Sequence, residues 1–533
     1  MTTDSNSRPA PLAERQYARR DVLRGGAFGL GALALGGTLA GCGGGTTPST
    51  STTSVGAVRK GGTMTVGFIG NGTSETVNPQ QAVAIIDGAR GFALFDPFVR
   101  FLPDQSLGFV LAESMEPNST ATAWTMHLRR GVEWHDGSPF VAEDAIFTLR
   151  FYGLPTSTVP LASSIIDLKN MKALDSHTVH IPLHSANADL PNFLQQILVV
   201  KNGETKYSHP IGTGPFKFVS FTPGQRSVFV RNPHYWQTGK PYLDELKFVS
   251  IPDQTARLNA LLGGQIDAME SLDYAQARQY ENSSRLKLLR ANGANYVPIY
   301  MATTLEPFTD VRVRQAMRLI ANRPQLIQEA QLGNGQIGND LFGQGHPGFD
   351  TSLPQREQDI GQAKSLLKAA GKSGLTVTLY SSTVAAGMLE SATVFASEAS
   401  KAGVTVKVQN VPASTYFGPD YLKQNFAQSL WFAYDSVLSQ MARSVAPHAP
   451  FNETHWNDAA WTKLWYQTLA TVDDAKRTQL SHELQSILWN QGGYMYWGDF
   501  PLIDGLSPKV QGVAADSGGP LGAGDFQDWW LSA

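Results

Sequence analysis

Side chains able to do covalent chemistry are few in this 533-residue chain, and their spacing excludes most reactions. Ser517 stands in the run Ala515-Asp516-Ser517-Gly518-Gly519-Pro520, close to the pattern around a serine-protease nucleophile. That chemistry needs a histidine base and an orienting aspartate. The upstream histidine motif is missing, and Ser517 lies too near the C-terminus for the rest of a protease barrel to follow. His127 and His135 flank a turn and no HExxH pair is present, so a zinc site has no local support. The loop Gly212-Thr213-Gly214-Pro215-Phe216 lacks the glycine spacing of a nucleotide fingerprint and reads as a tight passage of the backbone, and there is no Walker A loop. The lone cysteine, Cys42, can form neither an internal disulfide nor a thiolate metal site. No catalytic residue, cofactor or metal is expected, and the chain reads as a non-enzyme.

What Cys42 can do is set by its place in the chain. Residues 18–24 read ARRDVLR, and a weakly apolar, glycine-rich run leads from there to Gly41 and Cys42, the layout of an export signal. Arg19, Arg20, Leu23 and Arg24 resemble a twin-arginine motif. Leu39-Ala40-Gly41-Cys42 resembles a bacterial lipobox, in which the cysteine thiol is diacylated and the chain is cut just before it. Two or more acyl chains anchor a protein firmly where one does not. Residues 1–42 are therefore expected to be a twin-arginine-type lipoprotein signal with Cys42 as the lipidation site, and residues 43–59, rich in Gly, Ser and Thr, a flexible linker. The apolar run falls short of the roughly 20 residues that span a bilayer, so the expected location is extracytoplasmic, held to the cell membrane by lipid alone.

The elements that must position any site come from the rest of the chain. Its length exceeds what one core supports, so two or three lobes are expected. The composition, 42% hydrophobic and 16% charged with 51 Gly and 30 Pro, is that of a loop-rich globular protein. A net charge of -3 offers no field for phosphate backbones, which excludes nucleic acid as a partner. Short β-like runs at 63–70 and 227–232 alternate with helical patterns at 311–330, 359–371 and 473–489, giving a mixed α/β class. Val313, Ala316, Met317 and Ile320 mark one buried helical face, Pro324 restarts a second helix, and Leu480, Leu484 and Leu488 form another apolar stripe.

Several blocks, in order along the chain, resemble the family 5 extracellular solute-binding proteins, the group of oligopeptide-, dipeptide- and nickel-binding proteins. They are LAESMEPNSTATAWTMHLRRGVEWHDGSPFVAEDAIFTL at 111–149, PIGTGPFKFVSFTPGQRSVFVRNPHYW at 210–236, YLDELKFVSIPDQTARLNALLGGQID at 242–267, FTDVRVRQAMRLIANR at 308–323, and the stretch from Leu366 to Gly371. In the first block Asp136 and Gly137 supply turn chemistry, His135 reads as a structural hydrogen bonder, and Ser138 or Asp144 is the candidate cap of the helix that follows.

The resemblance implies a bilobed periplasmic-binding-protein-like clamp of type II, peptide-binding subgroup, with an additional inserted domain. Lobe I would take 60–91, 209–289 and 500–533, the inserted domain 92–208, and lobe II 290–499. It also implies a ligand held as an added strand, with an acidic residue after an aromatic one holding its amino group. Asp435 takes that place here, after Trp431, Phe432 and Tyr434, while Asn71 and Thr73 in the loop after the first strand face the cleft from the other lobe. Two departures stand out: Ser436-Val437-Leu438 replaces the usual Asp-Pro, and 380–392 holds no basic residue where some dipeptide-binding relatives keep an arginine. The expected partners are a small peptide, an ABC permease and its separate ATPase subunits, with the protein itself a monomer. The alternative cargo is a nickel chelate, an oligosaccharide or another small organic solute.

Overall fold

The computed structural model describes residues 57–158, 164–195, 197–432, 436–514 and 519–533. The export signal, Cys42, Tyr434, Asp435 and Ser517 lie outside the described residues.

Three larger sheets organise the described residues. The longest runs, strand by strand, Trp431–Phe432, Lys287–Tyr296, Gly498–Leu506, Ala268–Met269, Thr63–Phe68, Glu245–Ser250, Arg226–Arg231 and Phe216–Thr222, and Gln336–Ile337 adds to Gly498–Leu506. A four-stranded antiparallel sheet is formed by Ala112–Pro117, Ala123–Leu128, Thr178–Pro182 and Lys172–Asp175. The third sheet orders Thr405–Asn410, Thr376–Ser381, Phe426–Gln428, Ile299–Met301 and Tyr494–Met495.

The cores divide the chain into two bodies. One cluster joins Val66, Phe229 and Phe248 of the long sheet to Trp124, Leu149 and Val179 around the four-stranded sheet, so the segment carrying the latter packs as part of the first body. The second body has its own clusters, one around Met317, Leu379 and Phe395 and one around Trp431, Trp461 and Leu484. Strands crossing between the bodies are Lys287–Tyr296 and Gly498–Leu506, which pair with each other and, at their far ends, with Trp431–Phe432 and Gln336–Ile337.

Local sequence accounts for the helices that brace this crossing. Asp310 accepts the Arg312 N–H at 2.8 Å and starts Val311–Ile320, whose face of Val313, Ala316, Met317 and Ile320 is fully buried. Pro324 lies in the first turn of Arg323–Ala330, capped by Asn322. Asp473 caps Asp474–Gln491, in which Leu480 and Leu484 are buried and Leu488 packs at the edge of the core. The carbonyls orphaned at that helix's C-terminus are taken up by arginines of Val311–Ile320. Arg318 donates to Trp489 O and Tyr494 O, both at 3.0 Å, and Arg314 to Gln491 O at 2.5 Å. Burial pulls the Arg318 guanidinium down to about 9.

The Trp134-His135-Asp136-Gly137 turn clips the return of the chain from the four-stranded sheet. Gly212 N–H donates to His135 Nδ1 at 3.1 Å, which leaves the ring proton on Nε2, facing Gly214 O at 3.0 Å. Burial pushes His135 down to about 4, with Lys217 adding to the effect, so the ring is a neutral connector. Neither Ser138 nor Asp144 is the N-cap of the next helix, Ala142–Tyr152; Val141 occupies that position. Asp144, three residues on, reaches back to accept the Val141 N–H at 2.9 Å, and Ser138 is engaged by Asp136 through its N–H and hydroxyl.

Candidate functional site

Of the residues singled out from sequence, Trp431 and Phe432 lie at the crossing between the two bodies, Asn71 and Thr73 lie in the loop after the first strand, and Tyr434 and Asp435 fall outside the described residues. Trp431–Phe432 is the terminal strand of the long sheet, pairing inward with Tyr296 and Asn295. Among the described residues it ends the strand order of that sheet on this side. Alternation along this strand sends its two side chains opposite ways. Trp431 is buried and Phe432 is 39% exposed.

Trp431 is instead fixed from beneath. Its indole N–H donates to Glu453 at 3.1 Å, and Glu453, fully buried, also accepts from Tyr421 at 2.5 Å, Tyr494 at 2.7 Å and Ser429. Burial raises the Glu453 carboxyl, and these donors partly offset that. The hub ties the terminal strand to the Tyr494–Met495 strand and to the loop holding Tyr421. Beyond 433–435, Ser436 caps Val437–Ser444 by accepting the Ser439 N–H at 3.2 Å, which explains the departure from Asp-Pro there: a capping serine turns the chain straight into a helix.

Asn71 and Thr73 sit on a second exposed feature, the turn Gly72–Ser74 that follows the strand Thr63–Phe68. That strand is parallel to Ala268–Met269, itself antiparallel to Gly498–Leu506, so it points toward the end of the sheet where Asp499 and Phe500 pair with Tyr296 and Asn295. The turn is anchored by Glu75, which accepts the Asn71 N–H at 3.0 Å and the Ser250 hydroxyl at 2.7 Å and pairs with buried Arg90 at 2.5 Å. Burial would raise the Glu75 carboxyl, but these partners outweigh it and hold it below its ordinary value. Gly70, at φ +79, packs so closely that a Cβ would lie 2.7 Å from Glu75 Oε1.

Away from the crossing strands the two bodies touch at positions the sequence did not flag. The rings of Phe101 and His346 meet edge to face at 6.5 Å, and burial pushes His346 down to about 4. Ala188 N–H donates to Leu469 O at 2.6 Å beside a small cluster of Ala121, Ala188 and Val472, and Asp189 lies 4.0 Å from Arg477. Neither Glu453, alone between aromatic segments, nor these loop contacts carry a spacing signal in the sequence. Their roles exist only through long-range packing.

The stretch 380–392 forms the end of the strand Thr376–Ser381 and the start of the helix Met388–Lys401. Ser381 there donates to Gln428 at 2.6 Å. Among the described residues no group of His, Cys, Asp and Glu could hold a metal ion, and no helix is long and apolar enough to cross a membrane.

Residues 109–463 match the model of the bacterial extracellular solute-binding proteins, family 5, middle region. The chain is 24% identical over 465 residues to a glutathione-binding protein of Pectobacterium atrosepticum, covering 83% of this chain and 89% of that one. It is 29% identical over 298 residues to the nickel-binding periplasmic protein of Escherichia coli, covering 52% and 56%. A periplasmic binding protein of Helicobacter pylori solved with the peptide STSA superposes with a TM-score of 0.73 at 20% identity, over 89% of this chain and 99% of that one. The two-body α/β architecture is thus a bilobed type II clamp with an inserted domain.

Proposed function

The chain belongs to the bacterial extracellular solute-binding proteins of family 5, substrate-binding components of ABC transporters, and on that footing we propose that it captures peptides outside the membrane and passes them to the permease. The observation that carries the peptide reading is the terminal strand Trp431–Phe432, with exposed Phe432 leading into 433–435 at the crossing of the two bodies. An extended peptide adds main-chain hydrogen bonds along such an edge whatever its side chains. Asp435 holds the peptide ammonium, Tyr434 and Phe432 flank it, Trp431 backs the strand, and Asn71 and Thr73 close on the peptide from lobe I.

The lobes of this reading are 60–91, 209–289 and 500–533 for lobe I, 92–208 for the inserted domain and 290–499 for lobe II. The four-stranded sheet drawn wholly from 92–208 and the five-stranded sheet drawn wholly from 290–499 support those two units, while one core joins the insert to lobe I. Closure is favoured because a ligand touching both lobes binds the closed form better by the sum of those contacts. The protein is exported by residues 1–42, anchored through lipid on Cys42 and works as a monomer without catalysis of its own, the transport energy coming from the separate ATPase.

A second reading keeps the clamp and changes the cargo to a nickel chelate, an oligosaccharide or another small organic solute. The absence of a basic residue in 380–392 favours it over a free dipeptide held at both ends, as does the nickel-binding relative. Native mass spectrometry of cargo released from the protein separates the two. Peptide masses are expected, and a chelate or sugar alone would overturn the peptide assignment while leaving the clamp.

A further inference from the structure

The inserted domain packs as part of lobe I, because one core joins Trp124, Leu149 and Val179 to Val66, Phe229 and Phe248. It also touches lobe II at two places away from the strands that join the lobes. The hairpin of Val99–Phe101 and Leu107–Phe109 brings the Phe101 ring edge to face against His346. The second contact sets the turn at Ala121 and the loop 186–189 against the turn between the helices Ala459–Ala470 and Asp474–Gln491. There Ala188 donates its N–H to Leu469 O at 2.6 Å, and Ala121, Ala188 and Val472 form a cluster of their own. All three are buried, as is Asp189 beside them.

Each side of this contact is held in shape by its own lobe. On the insert, Trp124 Nε1 donates to Asn187 O, the Asn187 N–H to Ala121 O and the Asp189 N–H to Asn187 Oδ1, each at 2.8 Å. On lobe II, Arg477 donates to Thr471 O at 3.0 Å and to Val472 O at 3.2 Å and pairs with Asp474 at 2.7 Å. Surfaces fixed in this way meet without ordering a loop, so little of the contact is lost to entropy. Ala121 stands at φ +52, which glycine adopts more easily, and the methyl it keeps there lies in the cluster. The charged pair adds little attraction. Asp189 is 4.0 Å from Arg477 Nε, and its buried Oδ2 accepts no hydrogen bond among the described residues, so desolvation offsets the pairing and the pair sets register. What holds is three small apolar side chains and one main-chain hydrogen bond, a contact weak enough to part and re-form.

We propose that the inserted domain is a latch: the pad of Ala121, Ala188 and Asp189 docks on the turn 469–477 of lobe II and biases the clamp toward its closed form before any solute arrives. This rests on the two-lobe clamp alone, whatever the cargo. A contact that spans the lobes away from the strands joining them parts when the lobes swing open, so its free energy belongs to the closed form only. A latch worth about one hydrogen bond raises the ratio of closed to open molecules about fivefold.

The test uses residues 43–533, stripped of bound solute by unfolding and refolding. This chain contains no cysteine, so Ala188→Cys with Val472→Cys supplies the only pair. Mild oxidation is expected to join the two, as mass spectrometry of the linked fragments would show. Val472→Asp sets a carboxylate against Asp189 in the closed form alone. In small-angle X-ray scattering it is expected to enlarge the radius of gyration of the solute-free protein and to lower the ratio of closed to open molecules at least threefold, with an unchanged circular dichroism spectrum. Failure of the cysteines to join overturns the latch, and so does a folded Val472→Asp chain that scatters like the unaltered one. Should circular dichroism show Val472→Asp misfolded, scattering of the unaltered solute-free chain decides: a closed envelope supports the latch and a wholly open one overturns it.

Discussion

Replacing Gly212 by alanine drives main chain against main chain. A Cβ at this position would lie 1.7 Å from the carbonyl oxygen of Leu94 and 2.6 Å from its carbonyl carbon, with the Phe95 ring at 3.0 Å. No rotamer relieves that contact, so one of the two backbones must shift. Gly212 also donates to His135 Nδ1 at 3.1 Å and accepts the His135 N–H at 2.8 Å, so the shift breaks the clip as well. Overpacking costs about 1–3 kcal/mol, and each lost hydrogen bond about 1 kcal/mol, which together give roughly 3–5 kcal/mol. Gly88 is the control. It lies in the helix Ile85–Leu94 with nothing within 4 Å of a built Cβ, and alanine there favours the helix by up to about 1 kcal/mol. Urea unfolding of residues 43–533, followed by tryptophan fluorescence, is expected to show a clearly lowered midpoint for Gly212→Ala and an unchanged or raised one for Gly88→Ala. A Gly212→Ala protein with the midpoint of the unaltered chain would refute the close backbone passage.

The His135 ring, held near 4, binds fewer protons folded than unfolded, so its contribution to stability is complete above about 6.5 and is lost as pH falls toward 4. A shift of that size corresponds to about 3 kcal/mol at most, read as the difference in unfolding free energy between the unaltered protein and His135→Gln across pH 7.5 to 4. Carboxyls raised by burial, Asp96 and Glu270 among them, act with the opposite sign over the same window, and the difference measurement cancels them. Glu453→Leu strips an acceptor from Tyr421, Trp431 and Tyr494 and is expected to destabilise by several times the roughly 1 kcal/mol of a single hydrogen bond. Denaturant midpoints should place Glu453→Gln between it and the unaltered protein, since hydroxyls can turn to suit an amide but the indole N–H cannot. Arg318→Met orphans the buried carbonyls of Trp489 and Tyr494 and is expected to cost more than about 3 kcal/mol, against less than about 1 for the exposed pair member Lys423→Met. Cys42→Ser is expected to release the protein from membranes, which fractionation and mass spectrometry of the N-terminus would show.

Much of the fold was legible because its signals are local. The helix face of Val313, Ala316, Met317 and Ile320, the restart at Pro324 and the turn chemistry of Asp136-Gly137 each depend on neighbours within a few residues. The cap of Ala142–Tyr152 was missed because two polar side chains near the start competed for the position, and Asp144 works backward from the third helical residue. The site was legible only as far as its sequence neighbourhood. The segment from Trp431 to Asp435 carries an aromatic and acidic pattern, but that Trp431 turns inward and Phe432 outward follows from pairing with Lys287–Tyr296, far away in sequence. Glu453 and the contact of Ala188 with Leu469 acquire their roles entirely from such long-range packing, which no spacing encodes.

The most direct test of peptide capture is a thermal-shift titration of residues 43–533 against peptides of graded length, free amino acids, oligosaccharides and nickel chelates, since a ligand of the native state raises Tm. Peptides are expected to raise Tm in proportion to the logarithm of their concentration, and Asp435→Ala to lose the shift while melting at the same temperature without ligand. A shift with another class alone, or peptide shifts untouched by Asp435→Ala, would contradict capture of a peptide by its amino end.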